Sequence, residues 1–342
     1  MNPLQNPFSP GAGSPPPELV GRKNILDRSK IILGRLKAGK SEKSFLLVGL
    51  RGVGKTVLLN EIYKHSQGEG FKSILVEAHE GKSLPALLIP QLRQVLFSLD
   101  QMKDLNQKVK KGFRVLKSFL NGIKMKIGDL EISLDVDPEL GAADSGDLES
   151  DLPVLFEAIA EAAQGRETAV AIMIDEIQYL SEKEFSSLIM AMHRISQRQL
   201  PLILIGAGLP QLVGLAGRSK SYAERLFDYP SIGPLNKSDA ILALQEPAKE
   251  QGANFTAEAL DEIISKTEGY PYFIQEWGYH SWNIAETNEI NLETIHEATK
   301  TSLQRLDESF FRVRFDRLTP YEKKYLRALA ELGSGPHRSG DI

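Results

Sequence analysis

The stretch "LLVGLRGVGKTVLL" (residues 46–59) decides the fold. Apolar residues run into Gly49, then come Arg51, Gly52, Val53, Gly54, Lys55 and Thr56, and the chain turns apolar again. The spacing is G-x-x-x-x-G-K-[ST]. Glycines let the backbone turn so that successive N–H groups point inward at phosphate oxygens. A helix starting near Lys55 adds the positive end of its dipole. At this spacing a lysine reaches the β- and γ-phosphates and the Thr56 hydroxyl coordinates Mg²⁺. We therefore expect a bound nucleotide, ATP or ADP, held by Gly49, Arg51, Gly52, Gly54, Lys55 and Thr56. The motif leaves open whether that nucleotide drives an engine or latches a switch.

A second stretch, "AIMIDEIQYL" (171–180), carries four apolar residues into Asp175-Glu176. An acid at the edge of a strand can hold Mg²⁺, which makes Asp175 a metal ligand alongside Thr56. The next carboxylate, Glu176, can polarise an attacking water. Alone, the pair could be an ordinary acidic strand end; beside the phosphate loop it reads as chemistry.

Short apolar runs at 44–50, 72–78, 168–174 and 200–206 alternate with helical stretches, and a shorter fifth run lies at 227–233. Continuous apolar runs mean strands covered on both faces, hence a parallel sheet between helices. Ser181 and Glu184 form a capping box for a helix over 182–198, with Phe185, Leu188, Ile189, Met192 and Ile195 as its buried stripe. From 236 onward the strands are expected to stop, and helices are predicted at about 237–250, 256–268, 271–286 and 291–316, with Gly252 and Gly269 as C-terminal caps. Trp277 and Trp282 in this region read as core residues.

Composition narrows the function. The 342 residues carry a net charge of -4, which is no global signature of a nucleic-acid binder. Zero cysteines exclude disulfides, thiol catalysis and Cys-ligated zinc. The six histidines form no HExxH, so no metal other than nucleotide-bound Mg²⁺ is expected. Residues 1–17 hold six prolines and no charge and read as a disordered arm, not a signal peptide. The uncharged run 200–217 is broken by prolines and glycines and reads as a strand and turn. The expectation is a cytoplasmic protein with no membrane contact.

Residues 101–151 form a charged insert within the α/β domain. Its first part is basic (Lys103, Lys108, Lys110, Lys111, Arg114, Lys117, Lys124, Lys126) and its second part acidic. Between them, Ile123, Met125 and Ile127 alternate, as do Leu130, Ile132, Leu134 and Val136. With Gly128-Asp129 as the turn, this predicts a β-hairpin pairing 127 with 130 and 125 with 132. The sequence after it, 137–153, reads as a flexible acidic linker. Two readings stay open: a solvated excursion, or a segment contacting a protein partner or DNA.

Gly49–Thr56 resembles a Walker A motif, and Asp175-Glu176 resembles the Walker B motif of AAA+ ATPases. "ELVGRKNIL" (18–26) resembles the segment that packs near the adenine, which implies cofactor-binding roles for Val20 and Arg22. "GLPQL" (208–212), "SYAERLF" (221–227), "GYPYFIQEWG" (269–278), "FFRVRFDRLTPYE" (310–322) and "GPHRSGDI" (335–342) are similar to segments of the replication-initiator-like (origin-recognition-like) AAA ATPases of bacteria and archaea. The resemblance runs from about 18 to the end, weakly over 101–140. It implies a P-loop NTPase with a five-stranded parallel sheet (18–235), an α-helical lid (236–316) and a winged helix, of which 317–342 is expected to be a truncated start lacking the recognition helix.

The resemblance also implies an arginine acting across a subunit interface, hence self-association through the ATPase domain. Arg225 fits best and Arg218 second; a surface arginine is the alternative. Two departures matter. Gly206, Ala207 and Gly208, at the end of the fourth strand, offer no side chain to orient water. In the lid, Gly269-Tyr270-Pro271-Tyr272 has tyrosine where Gly-x-x-Arg would place an arginine. Gly269 and Pro271 instead resemble the Gly-x-Pro element of the signal-transduction ATPases with numerous domains, which contacts nucleotide. The expectation is slow Mg²⁺-dependent ATP hydrolysis coupled to conformational switching or assembly, with DNA as one partner under test. A non-turnover signalling or defence switch is the alternative.

Overall fold

The computed structural model describes every residue except 12, 14, 15, 17, 18, 101–106, 124–135, 221, 222 and 334, and every side chain of the rest except those of 218, 310 and 341. Helix α1 (Lys23–Lys37) leads to strand β1 (Ser44–Val48), and the glycine-rich loop hands over to α2 (Lys55–Gly68). Then come β2 (Lys72–Glu77), α3 (Leu84–Asp100), α4 (Gln107–Ile123), α5 (Leu148–Gln164), β3 (Val170–Asp175) and α6 (Glu182–Gln197). Strand β4 (Leu202–Gly208), α7 (Gln211–Ser219), α8 (Ala223–Leu226) and β5 (Phe227–Asp228) complete the α/β unit.

The five strands form a parallel sheet in the order β2-β3-β4-β1-β5. Strands β1, β3 and β4 are buried along their whole length. Their alternate residues serve two cores. Leu46, Ile172, Ile174 and Leu204 pack with the helices α3 to α6, while Phe45, Leu47, Met173 and Ile205 pack with α1 and α2. A sheet covered on both faces needs apolar side chains in both directions, which is the origin of the continuous runs. Strand β5 is shorter than the run 227–233, although Val48 N donates to Pro230 O at 2.9 Å and Ile232 N to Val48 O at 2.7 Å. The capping box of α6 is present, with Ser181 and Glu184 satisfying each other's backbone N–H groups.

The lid comprises α9 (Lys237–Glu250), β6 (Asn254–Phe255), α10 (Ala257–Thr267), α11 (Pro271–Ile284), β7 (Glu289–Ile290) and α12 (Leu292–Arg305). A π-helical turn (Leu306–Phe311) and α13 (Arg312–Asp316) continue it. Strands therefore do not stop at 236: β6 and β7 pair in parallel and tie the starts of α10 and α12 together. Gly252 and Gly269 take left-handed φ values of +76° and +73° after their helices. Trp277 and Trp282 are buried in the lid core. Helix α14 (Pro320–Glu331) follows, with a capping box from Thr319 and Glu322 and no buried residue.

Three expectations need correction. The arm is not free: Phe8 is 2% exposed in the lid core. A Cβ on Gly278 would lie 2.7 Å from the Phe8 ring, so this glycine makes its seat. Asn6 Nδ2 donates to Tyr279 O at 3.0 Å, and Trp282 Nε1 to Asn2 O at 2.9 Å. Second, the basic half of the insert is not a solvated excursion. Val109, Phe113, Leu116 and Phe119 recur at helical spacing and bury α4 in the main core, leaving its lysines outside. Third, the acidic linker is ordered where described. Asp151 accepts from Ser145 Oγ at 2.8 Å and Gly146 N at 2.9 Å, and its turn leads into α5 at Leu148. The hairpin pairs 127/130 and 125/132 lie outside the described residues. Among the described residues, no helix is long and apolar enough to cross a membrane.

Candidate functional site

Strand β1 ends in the middle of the sheet, between β4 and β5, and its loop opens onto a cavity of about 380 Å³. Only glycine fits at 49, where a Cβ would stand 2.2 Å from Ile232 O. Gly49 N donates to Gly208 O at 3.1 Å, which fixes the loop's origin to β4. Gly52 and Gly54 hold φ values of +84° and +93°, a region that side chains resist. Gly54 is the N-cap of α2, so the open N–H groups of that helix face the cavity.

Lys55 and Thr56 begin α2 and both line the cavity. Lys55 Nζ donates to Leu50 O at 2.9 Å. Burial pushes its pKa down, while Glu176 and Asp175 oppose the shift and Arg51 adds to it. Thr56 Oγ1 donates to Asp175 Oδ2 at 2.6 Å, joining the two motifs across the loop. Burial pushes the Asp175 carboxyl up; the Thr56 hydroxyl and the Glu176 N–H hold it back. Thr56 and Asp175 offer hard oxygen donors, the kind Mg²⁺ takes.

Glu176 stands one residue beyond the strand with φ +51°, which turns its carboxylate out of the sheet and into the cavity lining. Gln178, on the 3-10 turn Ile177–Tyr179, donates through Nε2 to Glu176 Oε2 and accepts from Leu209 N at 3.1 Å. This explains the glycines of β4. A Cβ at Gly208 would lie 2.9 Å from Gln178 Oε1, and one at Gly206 3.1 Å from Ile177 Cδ1. The small end of β4 leaves room for a turn that brings in an amide from the neighbouring strand's extension.

The opposite wall is the lid. Pro271 occupies the first turn of α11, where its missing N–H costs nothing, and lines the cavity. Tyr270 Oη donates to Arg51 O at 2.5 Å, and Tyr272 N to Gly52 O at 3.2 Å. A Cβ at Gly52 would stand 3.1 Å from both the Tyr270 ring and Tyr272 Cβ, so that glycine also admits the lid. Arg51 donates to Tyr179 Oη at 2.7 Å. Val20, Leu235, Ala243 and Ile274 give the cavity an apolar end suited to a base. Arg22 is 8% exposed and donates to Val53 O at 3.2 Å and to Gly233 O. Burial lowers its pKa, with Asp239 opposing.

Thus one cavity gathers Val20, Arg22, Arg51, Gly52, Gly54, Lys55, Thr56, Glu176 and Pro271, with Asp175 joined through Thr56. Gly49 and Gly269 stand behind it; a Cβ on Gly269 would meet Leu235 O at 2.2 Å. Arg225 is elsewhere. It lines a separate hollow with Ser44 and Leu202, at the starts of β1 and β4, on the far edge of the sheet. The side chain of Arg218 lies outside the described residues. Sequence reasoning missed Gln178, Tyr179 and Arg314, the last of which also lines the cavity. Gln178 had a signal, a polar amide two residues after Glu176. Arg314 had none.

The AAA ATPase domain family matches residues 18–205, and a domain of unknown function (DUF8462) matches 308–342. No curated protein matches the chain. Among solved structures, the Walker-type ATPase PABY2304 of Pyrococcus abyssi is 17% identical, with 96% of this chain and 84% of that one covered at a TM-score of 0.59. Cdc6p from Pyrobaculum aerophilum is 17% identical, with coverages of 100% and 82% and a TM-score of 0.56. The Aeropyrum pernix Orc1 protein, solved in complex with DNA, is 16% identical, with coverages of 95% and 76% and a TM-score of 0.50. At these identities the likeness is one of fold.

Proposed function

Because this chain belongs to the AAA ATPase domain family, we propose that it binds ATP with Mg²⁺, hydrolyses it slowly and uses the nucleotide to set the position of its lid. The observation that carries the reading is the 2.6 Å hydrogen bond from Thr56 to Asp175 at the mouth of a loop that also presents Lys55 and Glu176. Thr56 and Asp175 would hold Mg²⁺, which when bound neutralises charge on the phosphate oxygens. The Lys55 ammonium, made uncomfortable by burial, gains a phosphate partner. Glu176 accepts a proton from the attacking water, and Gln178 fixes the carboxylate's direction. Tyr270 and Tyr272 touch the phosphate loop directly, so a change at the loop is felt at the start of α11.

Arg225, remote from its own cavity, can act on phosphate only across a subunit interface, which gives the self-association reading its test. DNA contact is carried over from the Orc1 likeness and from the lysines of α4. Against a broad basic groove, Lys111 pairs with Glu161 at 3.0 Å and Arg114 with Glu139 at 3.1 Å. A second reading, a latch that binds without turnover, is favoured by Tyr272 standing where an arginine is expected. Steady-state hydrolysis across protein concentration, with Glu176→Gln as the blank, separates them. A specific rate that rises with concentration and falls in Arg225→Ala supports shared sites. A rate equal to the blank, with nucleotide retained, overturns hydrolysis in favour of the latch.

A further inference from the structure

The lid's first turn places Tyr272, not a cation, against the phosphate loop. A cation nevertheless reaches the cavity from that side. Arg314 lines it together with Arg51, Lys55 and Thr56, although it belongs to α13, at the far end of the lid from Tyr272 in sequence.

Its position is built, not incidental. Arg305, at the end of α12, pairs with the buried Glu276 of α11 at 3.3 Å. Leu306 is buried in the lid core. The π turn Leu306–Phe311 then adds a residue to the helix, which rotates all that follows by roughly 100° relative to an uninterrupted helix. Phe311 rests on Phe273 of α11, ring centroids 6.4 Å apart. Arg314 is three residues on, so it shares the face of Phe311 and is carried toward Tyr270 and Tyr272. Arg51 approaches the same place, and burial together with that like charge lowers the Arg314 pKa. The guanidinium groups of Arg51 and Arg314 and the Lys55 ammonium repel one another around the cavity; a polyphosphate between them turns repulsion into charge-assisted hydrogen bonds.

We propose that Arg314 binds the terminal phosphate of ATP in cis, supplying from α13, the last helix of the lid, the charge that Tyr272 cannot. The inference rests on the ATP reading above and adds which segment recognises the third phosphate. Loss of that phosphate releases Arg314, and with it α13, from the cavity.

Equilibrium titration of the full chain with fluorescent N-methylanthraniloyl ATP and ADP, in Mg²⁺, tests it. Lys55→Ala should lose both ligands. Arg314→Ala should weaken ATP by about ten- to a hundredfold, the worth of a hydrogen bond to a charged group, and ADP by less than about twofold. Arg314→Lys, which keeps the charge and loses the fork, should fall between. Wild-type binding of both nucleotides with Arg314→Ala unchanged, or weakened equally for both, overturns the inference alone. Failure of the wild type to bind either nucleotide overturns the ATP reading and this inference with it.

Discussion

On the sheet side of the cavity, Lys55 and Thr56 come from the helix start that follows β1, and Asp175 and Glu176 from the end of β3, all fixed by buried β-structure. On the lid side, Tyr270 and Tyr272 at the start of α11 meet the phosphate loop through two hydrogen bonds and the packing of the Tyr270 ring, and Arg314 of α13 lines the cavity beside them. The first wall cannot move without breaking the sheet. The second rests on the packing of its own core, into which the N-terminal Phe8 is inserted. A rigid wall suits chemistry and a separable one suits signalling; under the proposed function, nucleotide state is read out as the distance between them.

Glu176→Gln, on the rigid wall, should lower turnover by about 10² to 10⁴, the usual contribution of a general base, and leave nucleotide affinity within about threefold; product release under saturating ATP measures it. Phe8→Ala, on the lid side, should cost about 3–5 kcal/mol of lid stability and leave the sheet intact, so that hydrogen exchange quickens in α11 and α12 but not in β3 or β4. Equal quickening in both would mean the walls do not separate. Gln178→Ala should lower the rate constant about tenfold with nucleotide affinity unchanged, since it touches Glu176 and not the phosphate loop.

The two walls also differed in how far the sequence revealed them. The phosphate loop and the Asp175-Glu176 pair are local: each motif is contiguous, and its strand and helix flank it directly. Gly206 and Gly208 stood out as departures, but their reason, the room taken by Ile177 and Gln178, exists only once β3 and β4 lie side by side. Arg314 and Phe8 reach their places through tertiary contacts with residues far along the chain, and no periodicity encodes that. Helix α4 was legible and misweighed. Its Val109, Phe113, Leu116 and Phe119 recur at helical spacing, yet its lysines dominate the composition. Charges on the solvent face of a buried helix say little about where the helix lies.

The most direct test of the account is thermal unfolding of the wild-type chain and Lys55→Ala, with and without Mg²⁺ and ATP at about a hundred times its dissociation constant. Binding to the native state adds about 2.7 kcal/mol at that ratio, which raises Tm by several degrees in a chain of this size. The account expects that rise in the wild type and none in Lys55→Ala. A wild-type Tm that ATP leaves unmoved, or a rise that survives Lys55→Ala, would contradict it.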